Sequence, residues 1–392
     1  MTKDQGVKSA REKRWSKGDR VATAVVVLGL AALAWSGVVA AGAQGNAKSA
    51  FLLSLGSPTV VGSTVPANGD VNPYGIAVVP ITAGKLLKGD TLISNFNDKA
   101  NVQGTGTTIV ELSPTGSLTT FAAIKSLPNT RSCPGGLGLS TALSILPGGW
   151  VVVGSVPAGA GGALPLVNPA GCLIVLNHNG AVVETWTNAN INGPWDMSET
   201  ITKFGADLFI ANVLSRPLGT SATPQSGDSS TIVRISISLS ASAAPRMISA
   251  TVIGSGFISK PNKATFVQGA TGVALGSNGT LYVAETVQNR VAEIPSALSR
   301  MTAFVDGTKT LSSGGWLNGP LGVTLAPNGD VVVMNANDGN AVEISPSGRE
   351  LAKSMLVRNG SGDLFGATIA PGGNGLLFVN DGTNVLDFAK VR

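Results

Sequence analysis

Five oxygen-bearing side chains close short apolar runs at separate points of the chain: Asn95 after LIS, Asn212 after FIA, Glu285 after YVA, Asn335 after VVM and Asn380 after LFV. A sixth run, VVV, ends at Gly154, and Asp196 and Glu199 lie in the alternating stretch WDMSETI. Carboxylate and amide oxygens are the ligands of hard cations such as Ca²⁺ or another divalent ion, and the same groups hold sugars and lactones. Brought together, Asp196, Glu285 and the four asparagines would form a cation or ligand site. Left apart, each would bond backbone in its own turn, as short polar side chains do. His178, within NHNG, is the one histidine. A residue in such a tight turn reads as structural, and one imidazole there suits neither a Ser-His-Asp triad nor a multi-histidine metal centre. Cys133 and Cys172 have no neighbouring histidine and make a poor metal set. In an oxidising compartment they would pair and restrain the loop between them; otherwise they are two thiols.

The elements that position these residues are short strands. Residues 321–350 read LGVTLAPNGDVVVMNANDGNAVEISPSGRE, three apolar runs each followed by a tight polar stretch. Asn328-Gly329 marks a hairpin, because Asn and Gly tolerate positive φ. Only 12% of the 392 residues are charged and 51 are glycine, which favours strands and turns over charged helices. The pattern recurs loosely in six copies, with Gly75, Ala142, Asp196, Gly272, Gly322 and Gly366 at equivalent opening positions. The closest pair, Gly322 and Gly366, is 44 residues apart, enough for one four-stranded propeller blade. Small residues at five of the six positions suit inner strands that crowd around a channel, or else mark a turn before each strand. Asp196 breaks the pattern. The last copy reaches Arg392 with three strands, so residues 51–63 are expected to supply its outer strand beside 384–390 and remove an exposed edge.

GVALGSNGTLYVAETVQNRV (272–291) and GVTLAPNGDVVVMN (322–335) resemble the repeat of the NHL family of six-bladed β-propellers. The resemblance runs from about residue 50 to the end and implies an all-β, six-bladed propeller of four-stranded antiparallel blades. Where that family usually carries Asp after the second strand, this chain has Asn212, Asn335, Asn380 or Glu285. Gluconolactonase-like propellers hold a metal through a Glu/Asn/Asp set, which the oxygen-bearing residues here permit. Their Glu-Gly-Pro motif has no counterpart at Asn72-Pro73-Tyr74. Function does not follow from such a fold alone.

Antiparallel strands send their connections to two faces. The turns at 178–180, 277–279, 327–329 and 346–348 share a short-turn face, and the insertions at 155–171, 213–230, 254–269 and 306–319 share a long-loop face. Binding sites usually sit on variable loops over a rigid scaffold. The net charge of +5 is concentrated in residues 1–20, where seven Lys/Arg outnumber three acids, so the body is nearly neutral and no nucleic-acid partner is expected. Residues 21–43 carry no charge, and Ala41 and Ala43 precede Gln44 as in a cleaved export signal. The same 23 residues would also suffice as a membrane anchor. The domain reading is therefore 1–43, signal or anchor, and 44–392, propeller. Two functions are open: an exported, non-catalytic module that binds a small molecule or protein on the long-loop face, or a metal-assisted hydrolase or lactonase using Asp196, Glu285 and the asparagines.

Overall fold

Strands of five or six residues cannot bury two apolar faces alone, so they form sheets that stack. The computed structural model describes residues 49–392 except 130, 139, 159–169, 216–228, 242, 263–264 and 305–308. The expected signal or anchor, with its Ala43–Gln44 junction, lies outside the described residues, as do the middles of the two longest loops. Among the described residues no helix is long and apolar enough to cross a membrane.

Six four-stranded antiparallel sheets make the six blades, each with its strands in sequence order except the last. The inner strands are Val71–Val78, Leu143–Leu146, Pro194–Thr202, Ala270–Leu275, Pro320–Leu325 and Leu364–Ile369. Each is followed by a second strand, Thr91–Asn97, Trp150–Ser155, Gly205–Asn212, Leu281–Glu285, Val331–Asn335 and Gly375–Asn380. The sixth blade is closed by Thr59–Ser63, which pairs with Val385–Lys390 from Thr59↔Phe388 to Ser63↔Val385. The ring therefore closes between the two ends of the propeller sequence, as expected.

The start of that segment differs from expectation. Phe51–Ser54 is a turn of helix rather than strand. The backbone N–H groups of Phe51 and Leu52 donate to the two carboxylate oxygens of Glu343, at 2.8 and 2.7 Å. The chain joins the sheet only after this anchor, with Leu55 bridging Val391. Both N–H groups would otherwise be unsatisfied at a buried helix start, and Glu343 is fully buried.

Apolar side chains interleave between neighbouring blades. Val153 and Ile174 of blade 2 pack with Leu92 and Ile109 of blade 1. Val283 and Ala292 of blade 4 pack with Phe209 and Ile232 of blade 3. At the centre the backbones nearly touch. A methyl placed on Gly75 would lie 2.1 Å from the Thr141 carbonyl oxygen, on Gly272 2.3 Å from that of Leu321, on Gly322 2.4 Å from that of Phe365, and on Gly366 2.0 Å from that of Tyr74. Of the two readings of these glycines, crowding is the one the fold displays. Each leans on the carbonyl immediately before the next blade's own opening position.

Candidate active site in the central channel

The crowded inner strands leave a channel cavity of about 280 Å³. Its wall is made by Ile76, Leu143, Met197, Val273, Val323 and Ala367 with Ser198, Thr324 and Thr368. At Pro80, Ile145 and Glu199 it meets a second hollow, of about 550 Å³, formed with Ile81, Pro147 and Ile201 near the first hairpins of blades 1 to 3. The channel thus continues toward the short-turn face.

Its other end is closed by apolar bulk. Tyr74, Trp195, Leu321 and Phe365 precede four of the opening positions and are 2% exposed or less. Trp195 meets Tyr74 edge-on at 5.7 Å between ring centroids, and Phe365 lies 5.9 Å from Tyr74 on another side. Tyr74 and Trp195 lie within breaks in strand register, at Pro73/Ile76 and Pro194/Asp196.

Asp196 lines this cavity, at the position where other blades have Gly or Ala. One carboxylate oxygen accepts from the Met197 N–H at 2.9 Å, and the other reaches the next blade to accept from the Val273 N–H at 3.2 Å. Burial pushes its pKa up to about 7; the two N–H groups oppose that rise and the charge of Glu199 adds to it. Beside it the Tyr74 hydroxyl is buried against the Trp195 indole N–H, and among the described residues neither group has another hydrogen-bond partner. Burial first, and then the negative charge of Asp196, hold the Tyr74 phenol well above its ordinary value, so it stays protonated. Among the described residues the cavity is lined by two carboxyl groups and by no Lys or Arg.

The other residues singled out by spacing point elsewhere. Asn212 accepts from the Asn192 and Gly193 N–H groups and donates to Asn190 O at 2.8 Å. Asn335 accepts from Asn318 N–H at 3.0 Å and donates to Trp316 O at 2.8 Å. Asn95 donates to Thr64 O at 2.8 Å, and its carbonyl oxygen is buried without a partner among the described residues. Asn380 accepts from Thr383 N–H at 3.3 Å and donates to Asp387 at 3.5 Å. Glu285 accepts from Ile258 N–H at 3.2 Å and forms an ion pair with Arg290. Asn95, Asn212, Glu285 and Asn335 thus repeat one role, in which a second-strand end grips the connection entering its own blade. None lines the cavity that Asp196 lines. Glu199, exposed on the inner strand, accepts from the Ser144 hydroxyl at 2.9 Å. Among the described residues no three of His, Cys, Asp and Glu converge as a metal site. His178 sits in a turn packed against Gly84, and its carbonyl accepts from Lys85 N–H.

Cys133 and Cys172 form a disulfide with Cα atoms 5.3 Å apart, tying the connection into blade 2 to that blade's third strand, Cys172–Leu176. Sequence reasoning missed the aromatic closure and the Tyr74 hydroxyl. Their signal was present as an aromatic residue before the opening position in Tyr74-Gly75, Trp195-Asp196 and Phe365-Gly366. It also missed Asp381, pushed up to about 7 by burial and by the charge of Asp363.

No protein-family profile matches the chain, and no curated protein sequence does. Solved structures do. A glucose dehydrogenase is 14% identical, with 86% of this chain and 99% of that one covered and a TM-score of 0.51. A gluconolactonase from Xanthomonas campestris is 11% identical, over 86% and 89%, with a TM-score of 0.50. A luciferin-regenerating enzyme is 11% identical, over 85% and 95%, also with a TM-score of 0.50. The chain is a six-bladed β-propeller. These neighbours are enzymes by name, and at such identities what they share with this chain is the fold.

Proposed function

We propose that this chain is an exported, NHL-like propeller enzyme that hydrolyses small neutral lactones or esters in its central channel. The observation that carries the proposal is Asp196, a carboxyl titrating near pH 7 on the cavity wall beside the buried, protonated Tyr74 hydroxyl. A group with that pKa accepts and returns protons at neutral pH. As carboxylate, Asp196 takes a proton from water while the water oxygen attacks the substrate carbonyl carbon. The carbonyl electron pair moves onto its oxygen, which the Tyr74 O–H is suited to hold. Collapse of the adduct breaks the bond to the alkoxide, which leaves with the proton from Asp196.

Cavity size and charge set the substrate class. About 280 Å³ lies at the small end of ligand pockets, which usually hold about 300–1,000 Å³. Two carboxyls and no cation in the wall disfavour anions. The non-catalytic binding reading was tied to the long-loop face, whereas this cavity is sealed on that side and continues toward the other. A divalent cation, which the sequence permits, would find Asp196 with both oxygens accepting backbone N–H groups and Glu199 as the one other carboxyl among the described wall residues. The channel residues do not fit that ion, and no step is routed through it.

The test is turnover of a panel of neutral lactones and aryl esters by the wild type and by Asp196→Asn. Hydrolysis that the variant loses supports the proposal. Absence of turnover by the wild type, or unchanged rates in the variant, overturns it.

A further inference from the structure

The apolar residues left in water are unevenly placed. Eleven large hydrophobic side chains are exposed among the described residues. Six of them, Leu53, Ile81, Leu87, Ile201, Phe204 and Leu298, belong to the short-turn face. Ile81 and Leu87 are in the hairpin between the first two strands of blade 1, and Phe204 is at the tip of the corresponding hairpin of blade 3. Leu298 packs 3.6 Å from the Cβ position of Gly279, in the first hairpin of blade 4. Leu53 is on the helix held by Glu343, whose carboxylate also accepts from Asn328 in the first hairpin of blade 5. Phe204 is 83% exposed.

The same face is basic. Lys85, Lys88, Lys203, Lys390 and Arg392 are all exposed there, and the Lys203 ammonium lies 5.4 Å from the centre of the Phe204 ring. Of the acids near these hairpins, Asp90 and Glu111 are buried, Asp207 and Asp330 are half-buried, and Glu199 is exposed. The described chain also begins on this face, because Arg392 N–H donates to Ser54 O and Leu55 bridges Val391. The uncharged stretch 21–43 ends six residues before residue 49 in the sequence.

We infer that the short-turn face is a docking surface for an anionic lipid bilayer. Isolated aliphatic and aromatic side chains enter the interface while lysines beside them meet lipid phosphates, a pairing that neither term achieves as well alone. A protein partner would be served by a continuous apolar patch; here apolar tips alternate with exposed ammonium groups around a channel mouth. Docking here uses neither Asp196 nor Tyr74, so loss of hydrolysis in Asp196→Asn leaves it testable, although Ile81 and Ile201 also line the hollow at the channel mouth.

The experiment uses the full chain with single cysteines introduced at Phe204→Cys on this face and Trp316→Cys on the other, each carrying a bimane label, the native cysteines being locked in their disulfide. The protein is mixed with vesicles of phosphatidylcholine alone or with phosphatidylglycerol, containing brominated acyl chains. The expected result is a blue shift and loss of fluorescence at 204 on anionic vesicles, little change at 316, and recovery of the 204 signal when Lys85, Lys88 and Lys203 are changed to Glu. A label at 204 that stays water-like on vesicle-bound protein overturns the inference. So does equal quenching at both positions, or a shift at 204 that appears without lipid as protein concentration rises.

Discussion

At four seams around the channel a glycine lets one inner strand rest against the carbonyl of the next; at the seam between blades 3 and 4 a carboxylate takes that place. Gly75, Gly272, Gly322 and Gly366 leave no room for a Cβ, whereas Asp196 reaches across to the Val273 N–H. The seam between blades 2 and 3 is intermediate, with Gly154 close to the Pro194 carbonyl. The repeat thus fixes a backbone geometry that is the same job done several times. Its one polar exception is free of that job and carries an acid whose pKa stands at about 7, well above the ordinary carboxylate range. A residue that breaks a steric rule inside a repeat, and bears a titratable group, is a stronger pointer to chemistry than residues that obey the repeat.

That contrast is broken most severely at the exception itself. Asp196→Asn keeps the shape and removes the proton acceptor, so kcat/KM for a hydrolysed lactone should fall by roughly 10²–10⁴, the usual worth of a general base. Wild-type kcat/KM should rise with pH through about 7, because the carboxylate is the active form. A pH-independent profile would assign the acid another role.

The obeying seams should fail through stability. Gly366→Val would place a branched side chain where even a Cβ lies 2.0 Å from the Tyr74 carbonyl oxygen. Displacing backbone in a packed core costs about 1–3 kcal/mol and occasionally more. Denaturant unfolding should show this loss or no folded protein. A variant as stable as the wild type would mean that these glycines only mark turns.

A smaller effect joins the two regions. Asp196 has its pKa raised from about 3.9 unfolded to about 7 folded, so the folded state holds the proton more tightly. Its contribution is full below about pH 4 and is lost as pH rises through about 7. A rise of that size corresponds to about 4 kcal/mol; partial opening to the channel reduces this to about 2 kcal/mol. Asp196→Asn should therefore gain stability over the wild type as pH goes from about 4 to about 8, which denaturant midpoints of the two proteins across that range would measure. Asp381 titrates in the same range but is common to both proteins and cancels.

Much of this architecture was legible in the sequence for a local reason. Hairpin turns and the spacing of opening residues are written within one blade, and the three-stranded last copy required a strand from the other end of the chain. The helix at 51–54 was not legible, because it depends on Glu343, 292 residues from Phe51. Likewise the spacing of Asn95, Asn212, Glu285, Asn335 and Asn380 was visible, but the carbonyls and N–H groups that claim them come from connections of no fixed sequence. Asp196 stood out as an exception. What raises its pKa, burial in the channel wall first and then the charge of Glu199, arises only when the inner strands of distant blades meet.

Calcium gives the smallest expected effect and tests the ring of second-strand ends directly. A bound ion stabilises only the folded protein, so an ion held by Glu285 and the asparagines would raise Tm in proportion to its occupancy. Glu285 is fully buried, paired with Arg290 and bonded to Ile258 N–H, and Asn212 and Asn335 each use both ends of their amides on backbone. Binding an ion would require exchanging those bonds for metal ligation while Arg290, a cation, stays within contact of the same carboxylate. Added Ca²⁺ should therefore shift the Tm of the wild type and of Glu285→Gln equally. A larger shift in the wild type would mean that the ring releases its backbone partners for a cation, and the chemistry of this propeller would then lie at the strand ends as well as at Asp196.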